Sequence, residues 1–519
     1  MATKPQDSRR RGRPAESKPA SKPRRRLKTK GAKPPKGLDL HIAMASPEIA
    51  PLAKTGGLAD MVGSLALALE RLGLQVSLVM PAYRSVLQGR FPLEETGVRF
   101  TVPVSDRREE GVVLKTKMGQ DMAVYLIRAD RYFDRDHLYS TPEGDYPDNA
   151  ERFVFFARAV LEVLRRDPPQ LLHGHDWQSA LAIAFLKAQP SLYPELSSGK
   201  TVFTVHNLGY QGLFWDLDWH LLNLNGGLFT PRHLEFYGKI NFLKGGLVFA
   251  DKITTVSPSY AEEIKTPEQG YGLEGVFQER AADLVGILNG ADYDIWNPEA
   301  DPFIAKTYGP KDLSGKRICK AHLQRSFGLP EEPDVPLLGM ISRLAAQKGF
   351  DLLEEALDAL LRRDLQFVLL GTGERRYQEF FSAVPARYPG KAGVRIGFDE
   401  ALAHQIEAGA DLFLMPSLYE PGGLNQLYSF KYGTIPIVRA TGGLKDTVEE
   451  FDPKTGRGNG FLFGPYEVPA LLEAVDRALT LFHQKGEWTT LMKNAMAADF
   501  SWDRSALAYL DLYRKLLGS

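Results

Sequence analysis

The sequence has one cysteine, no long apolar run and no net charge. Cys319 alone excludes a disulfide framework and a cysteine-based metal cluster, and it fits a reducing compartment. No uninterrupted apolar stretch approaches the ~20 residues that cross a membrane, and the N-terminus has no apolar segment typical of a secretory signal. We therefore expect a cytoplasmic protein without a membrane partner.

The zero net charge conceals an asymmetry between the N-terminus and the rest. Residues 1–37 contain 14 basic and 2 acidic residues, so they carry +12 and the remainder −12. Their proline content and few large apolar residues predict a disordered tail. Arg11 to Pro14 and Arg24 to Arg26 are basic enough to contact nucleic acid, but a solvated extension is the favoured interpretation. The scarcity of acidic residues also leaves a plastid transit peptide as an alternative.

Apolar runs and helical patterns alternate along the rest of the chain. At 519 residues and 44% apolar content, the chain is long enough for two domains or more. Alternation of this kind predicts an α/β fold with largely parallel sheets and helices on both faces. The domain junction is predicted around Asp283 to Pro298, where a short apolar run gives way to turn-like residues. Predicted strands are residues 38–45, 76–80, 122–127, 171–174, 202–205, 253–256, 337–341, 367–370, 412–415 and 435–438.

Residues 411–446 have the strand, loop, helix and strand order of a parallel α/β unit. A strand at 412–415 is followed by Glu420, then by Gly422 and Gly423, and a helical pattern begins at Leu424. In parallel sheets, ligands lie beyond the carboxyl ends of the strands, where this loop belongs. Adjacent glycines allow backbone N–H groups to approach an anion, with a helix dipole behind them. An anion site beside a carboxylate is one interpretation, and an ordinary turn is the other.

Other strand ends supply the charges that a diphosphate needs. Lys54 precedes the pair Gly56 and Gly57 at a strand-to-helix junction, as a backbone phosphate cradle requires. Arg343 ends a predicted strand and Lys348 follows it by five residues. Arginine binds phosphate as a fork and lysine as a point charge. A solvated loop is the alternative for these cations, and a ligand site is favoured because they lie at the same sheet edges.

Two histidine-containing segments follow predicted strands in the first half. His173 to Trp177 and His206 to Gly212 combine imidazole, carboxylate, amide and aromatic groups. Two histidines two residues apart, next to an aspartate, are compatible with a metal, but no third ligand is evident. Hydrogen bonding to a polar substrate is favoured. Aromatic rings and amides together suit a sugar, which has apolar faces and many hydroxyls.

Several ordered motifs together resemble the bacterial glycogen synthase and plant starch synthase family. The resemblance runs from about Leu38 to the C-terminus. It implies a GT-B fold, with two Rossmann-like domains facing across a cleft at 38–285 and 290–499, and a C-terminal helix within 500–519 that rejoins the first domain. The motifs are Lys54 to Leu58, His175 to Trp177, His206-Asn207, Gly286 to Pro298, Ser342 to Gly349 and Glu420 to Gly443.

The resemblance also implies an activity and a set of site residues. The activity is transfer of glucose from ADP-glucose to the nonreducing end of an α-1,4-glucan, with retention of configuration and no cofactor or metal. His206, Arg343, Lys348 and Glu420 are implied to be catalytic, the two cations neutralising the departing ADP. Implied substrate-binding residues are Lys54, Gly56, Gly57, Asp60, Asp176, Asn207, Asn289, Gly373, Phe398, Gly422, Gly423 and Leu424, with Phe398 placed against adenine.

Two positions depart from the family pattern. The usual arginine and cysteine around the catalytic glutamate are Leu418 and Gly422 here. A transferase with another nucleotide-sugar donor and a non-catalytic glucan-binding protein therefore remain alternatives. Retention is compatible with front-face attack or with a covalent intermediate.

Overall fold

The computed structural model describes residues 40–141 and 143–518. The first half of the chain forms a nine-stranded sheet. Seven neighbouring strands run parallel, and the last two are antiparallel additions at one edge. In spatial order the strands are Leu284–Gly286, Lys252–Thr255, Lys200–Val205, Leu171–His175, His41–Ala45, Gln75–Pro81, Met122–Arg128, Arg107–Met118 and Glu94–Val104.

The second sheet has six strands, all parallel to their neighbours. Its central strands are buried apolar runs, as expected for a sheet covered on both faces. In spatial order they are Ala392–Ile396, Gln366–Gly373, Leu337–Leu344, Leu412–Met415, Ile435–Arg439 and Phe461–Phe463. The predicted α/β class with two parallel sheets is confirmed.

The sequence pattern missed the strands that are not apolar runs. Glu94–Val104 and Arg107–Met118 include exposed polar or charged residues such as Arg99 and Thr101 in the first and Arg108 and Glu110 in the second. Such strands bury a single face, so they lack the continuous apolar signal of the central strands. Phe461–Phe463 has only three residues, and Ala392–Ile396 is interrupted by Gly393 and Arg395, so neither forms an apolar run that stands out.

Helices pack against both sheets. The buried apolar residues of the first sheet and its helices form one large hydrophobic core, and those of the second sheet form another. The helices associated with the first sheet are Gly57–Arg71, Arg84–Leu87, Asp130–Phe133, Asn149–Leu164, Asp176–Ala188, Phe242–Phe249, Pro258–Glu263 and Glu274–Glu279. Those that follow are Ser314–Ser326, Phe350–Leu361, Arg375–Ser382, Val384–Arg387, Glu400–Gly409, Asn425–Tyr432, Gly442–Thr447, Val468–Phe482, Lys485–Ala497 and Trp502–Leu517. Within the described residues, no helix is both long and apolar enough to span a membrane.

A small three-stranded antiparallel sheet projects from the first half. Its order is Leu213–Trp215, Lys239–Asn241 and Glu235–Phe236, and we call it the small sheet. The turn between its last two strands places Tyr237 and Gly238 at positive φ, 49° and 77°, as in a tight hairpin. A further short hairpin pairs Ser140–Thr141 with Gly144–Asp145.

The C-terminal helix Trp502–Leu517 belongs to the first core. Trp502, Tyr509 and Tyr513 are buried among the residues of that core. Just before the helix, the Ala291 N–H donates to the Phe500 carbonyl at 2.7 Å. The chain around Ala291 therefore lies beside the chain that leads into the C-terminal helix. The domain limits inferred from the sequence stay predictions, and the tail 1–37 lies outside the described residues.

Candidate active site

Two short helices join the first sheet to the second. Ser259 donates from its backbone N–H and its hydroxyl to the Asp446 carboxylate, at 2.8 and 2.6 Å. The Gly442 N–H donates to Glu263 Oε1 at 2.8 Å. Bonds to carboxylates are the stronger hydrogen bonds in proteins. They hold the helix Pro258–Glu263, which follows a strand of the first sheet, against the helix Gly442–Thr447, which follows a strand of the second.

We call the residues at the carboxyl ends of the first sheet the first wall of the site, and those at the carboxyl ends of the second sheet the second wall. Lys348 and Glu420 form a charged pair in the second wall. Lys348 Nζ lies 2.6 Å from Glu420 Oε2, which also accepts the Ser417 hydroxyl at 3.1 Å. The glutamate side chain is 6% exposed and the lysine 22%. Gly349 permits this approach because it has φ +79° and a Cβ there would lie 2.1 Å from the Pro416 carbonyl oxygen. The pair is therefore held by close backbone packing.

Glycines of two loops hold the backbone of Glu420. The Gly443 N–H donates to the Glu420 carbonyl at 3.0 Å. Gly442 has φ +44°, and a Cβ there would lie 2.0 Å from the same oxygen. Gly423 also has positive φ, +66°. Among the described residues, the N–H groups of Gly422 and Gly423 have no hydrogen-bond acceptor, which suits the predicted anion contact.

Arg343 and Gly373 lie at neighbouring strand ends. Arg343 pairs in register with Thr372, and Leu344 with Gly373. The Arg343 guanidinium lies over the ring of Tyr210, 5.7 Å from its centroid. Its Nη2 is 3.4 Å from Gln347 Oε1, which is a weak hydrogen bond. The arginine is exposed and keeps donors available to a ligand.

The first wall begins with the predicted glycine pair. Gly56 is exposed and precedes the helix Gly57–Arg71. Lys54 Nζ lies 2.7 Å from Asp60 Oδ2. Burial raises the pKa of the Asp60 carboxyl, while the Lys54 charge opposes that shift.

Two contacts bring the first wall to the glycine loop of the second. A Cβ on Gly57 would lie 3.5 Å from Leu424. One on Gly422 would lie 3.1 Å from Asn289 Nδ2. Gly57 therefore lies close to Leu424, and Asn289 lies close to Gly422, where the first wall meets the second.

Asp176 and His206 form a half-buried polar pair in the first wall. The His206 N–H donates to Asp176 Oδ1 at 2.8 Å. Burial raises the pKa of the Asp176 carboxyl to about 7, although this hydrogen bond acts in the opposite direction. Burial lowers the pKa of the His206 imidazole to about 3, so the ring is neutral near pH 7. Asn207 follows, and its Oδ1 accepts the Gly209 N–H at 2.9 Å.

The histidines of the preceding strand bond inside the protein. His173 Nδ1 lies 2.8 Å from the Tyr513 hydroxyl, and its Nε2 lies 2.6 Å from the Thr204 hydroxyl. His175 Nδ1 lies 3.2 Å from His206 Nε2. Both ring nitrogens of His173 are thus engaged with the C-terminal helix and the next strand. This residue supports the first wall and does not line the cleft.

Phe398 stands apart from the other predicted residues. It follows the strand Ala392–Ile396, and its side chain is 84% exposed. Gly397 before it has φ +146°. An exposed ring at a strand end has the freedom to stack on a flat ligand. Contact with adenine stays a prediction.

Sequence reasoning missed three supporting residues. Glu48 is buried, accepts the Thr55 hydroxyl at 2.6 Å and the Tyr139 hydroxyl at 2.7 Å, and so anchors the first glycine loop. It follows a strand end, the same signal that identified Glu420. The hydroxyl of Tyr419 lies 2.8 Å from a Cβ built on Gly209, and Arg439 donates to the Leu418 carbonyl. No local pattern marks these last contacts.

Comparison with known proteins gives matches along the described chain. A family model for the starch synthase catalytic domain matches residues 41–279, and one for glycosyl transferases group 1 matches residues 324–486. Glycogen synthase of Koribacter versatilis (strain Ellin345) is 49% identical over 478 residues, 92% of this chain and 98% of that protein. Glycogen synthase of Syntrophotalea carbinolica is 46% identical, with 92% and 99% covered.

Solved structures agree in fold. The catalytic domain of starch synthase IV from Arabidopsis thaliana, bound to ADP and acarbose, superposes with a TM-score of 0.86 at 33% identity, covering 93% of this chain and 100% of that one. Sucrose-phosphate synthase from Thermosynechococcus elongatus has a TM-score of 0.57 at 17% identity, with 92% and 99% covered, and shows the fold alone.

Two facing parallel sheets with charged and glycine-rich loops between them define a glycosyltransferase of GT-B fold. The extent and identity of the matches decide the family within that class. The chain belongs to the glycogen synthase family. The family resemblance and the GT-B fold expected from the sequence are confirmed.

Proposed function

We propose that this chain transfers glucose from ADP-glucose to the nonreducing end of an α-1,4-glucan with retention, in the cytoplasm. The observation that carries the proposal is the Lys348–Glu420 pair beside Arg343, facing the wall that contains Asp176 and His206. The glycogen synthase relatives and the ADP-bound starch synthase support the donor and the acceptor.

Arg343 and Lys348 receive the diphosphate in this proposal. Breaking a glycosyl phosphate bond increases negative charge on the leaving group, so fixed cations stabilise the transition state more than the ground state. Lys348 is part-buried, where its charge is less screened than in water. The imidazole of His206 is neutral because burial lowers its pKa, so it adds no positive charge to that of Arg343 and Lys348.

Glu420 and Asp176 act on the sugar. Glu420 keeps its Oε1 for a glucosyl hydroxyl while Oε2 is bound by Lys348 and Ser417. Asp176 holds the backbone N–H of His206, which fixes the peptide beside the predicted glucose position. With that peptide fixed, the His206 carbonyl is the group we place next to the reacting carbon.

Front-face attack is the route we propose for retention. A covalent intermediate needs a free carboxylate as nucleophile. Glu420 is neutralised by Lys348, and Asp176 accepts backbone N–H groups and has a pKa raised by burial. The acceptor hydroxyl therefore enters on the side from which ADP leaves and passes its proton to the departing phosphate.

A donor comparison tests the proposed function. Purified protein is incubated with glycogen and ADP-, UDP- or GDP-glucose, and nucleotide release and glucan extension are both measured. We expect extension with ADP-glucose and much less with the other two. Preference for another donor contradicts the ADP-glucose proposal, and glycogen retention without nucleotide release favours a non-catalytic glucan-binding protein.

Replacing Phe398 tests the predicted adenine contact. Phe398→Ala removes an exposed ring, so the free energy of unfolding should change little. Loss of stacking should raise the KM for ADP-glucose by roughly tenfold. Phe398→Tyr is the matched control and should retain the KM of the unsubstituted protein. An unchanged KM in Phe398→Ala contradicts the contact.

A further inference from the structure

A row of exposed aromatic and apolar side chains lies on and beside the small sheet. Trp215 is 74% exposed and Tyr237 is 81% exposed, values far above those of ordinary large apolar residues. Tyr210, Leu213, Leu217 and Tyr271 are exposed as well. None of these residues carries a predicted role in the transfer reaction. We call Trp215, Tyr237 and Tyr271 the aromatic row.

The register of the small sheet connects Trp215 to the hairpin turn. Trp215 pairs with Lys239, and Lys239 pairs on its other side with Phe236. Directly opposed residues of antiparallel strands point to the same face. Tyr237 follows Phe236, and their ring centroids are 4.8 Å apart. Trp215 on the edge strand and Tyr237 in the hairpin turn are therefore both exposed on the small sheet, on either side of Phe236 and Lys239.

Tyr271 joins that surface to the candidate active site. A Cβ on its neighbour Gly272 would lie 2.9 Å from the Phe236 ring and 3.2 Å from the Tyr237 ring. The Tyr271 ring lies edge-on to Tyr419, with 5.7 Å between centroids, and Tyr419 precedes Glu420. The Tyr271 carbonyl accepts Gln211 Nε2 at 3.1 Å, which ties it to the loop after His206. The row thus starts at the cleft and leads outward.

We propose that the aromatic row binds the outer residues of the α-glucan acceptor, beyond the sugar units held in the cleft. This proposal rests on the proposed function. Only the nonreducing end of the acceptor reacts, so the rest of the chain must leave the cleft. Glucose rings have apolar C–H faces that stack on aromatic rings and hydroxyls at their edges.

Polar groups stand between the rings of the row. Asp216, Glu235 and Lys239 are exposed or half-buried near them and are available to sugar hydroxyls. A stable protein interface would instead need a continuous apolar centre. Alternation of rings and polar groups, continuous with the cleft, therefore favours a glucan chain over a protein partner.

Binding of glycogen without nucleotide tests the proposal. Retardation in gels that contain glycogen gives the affinity, and initial rates give the KM for glycogen and for maltotriose. Trp215→Ala with Tyr237→Ala should weaken glycogen binding and raise its KM by at least about tenfold. The KM for maltotriose and the kcat should stay unchanged, because we expect a short acceptor to end before Trp215 and Tyr237, the outer members of the row.

Control variants separate a stacking role from a structural one. Trp215→Phe should restore most of the glycogen affinity, and Ile318→Ala, which removes an exposed apolar residue elsewhere, should have no effect. Unchanged glycogen affinity in the double variant overturns the proposal, as does an equal loss of maltotriose activity. An inactive but glycogen-retaining parent protein would contradict the proposed function alone, because retention is measured without donor.

Discussion

Lys348→Ala should lower kcat for glucose transfer by roughly 10²- to 10³-fold, the usual effect of removing a preorganised group that stabilises transition-state charge. The ammonium lies 2.6 Å from Glu420 and is the part-buried cation of the cleft. Its loss removes the charge that draws the diphosphate away and leaves Glu420 buried without its counter-charge. Initial rates with ADP-glucose and glycogen measure the effect.

Two further variants make this result specific. Glu420→Gln keeps the size of the side chain but removes the charge, so it should also lower kcat by orders of magnitude. Lys493→Ala removes an exposed lysine from the helix Lys485–Ala497 and should leave kcat unchanged. Near-normal glucan elongation by folded Lys348→Ala or Glu420→Gln protein would overturn the roles proposed for this pair.

The parallel core was predictable because its strands are short apolar runs. The predicted strand 412–415 coincides with Leu412–Met415, and the C-terminal helix that the resemblance implied within 500–519 is Trp502–Leu517. A strand that is buried on both faces has apolar residues at successive positions, and such a run can be recognised in the sequence. The edge strands Glu94–Val104 and Arg107–Met118 and the small sheet carry no such signal, because their residues are shared between core and solvent.

Motif reasoning located the loops but not all of their contacts. Glu420, Arg343 and Lys348 are identified because each follows a predicted strand of the second half, and the structure brings Lys348 and Glu420 together. The support that Glu48 gives to Thr55 was missed although it also follows a strand. The contact of Gly442 with the Glu420 carbonyl lies within the stretch 411–446, but residue spacing does not give the distance between two backbones, so only the folded chain reveals it.

That contact leads to the second large effect, which is expected for Gly442→Ala. Gly442 has φ +44°, where an alanine costs about 1–2 kcal/mol. Its Cβ would lie 2.0 Å from the Glu420 carbonyl oxygen, so one of the two loops must move. A displacement of about 1 Å in a catalytic group lowers activity by roughly 10²-fold. Initial rates should therefore fall although no group that contacts the sugar is removed.

A matched glycine distinguishes displacement of Glu420 from a general effect of alanine. Gly486 lies in the exposed first turn of the helix Lys485–Ala497, and a Cβ there would meet no atom within 4 Å. Gly486→Ala should therefore keep full activity and gain slightly in stability. If Gly442→Ala lowers the melting temperature but keeps its kcat, the Glu420 loop tolerates the shift and its position does not depend on Gly442. If kcat falls while the protein remains folded, the backbone contact between the two loops determines where Glu420 meets the sugar.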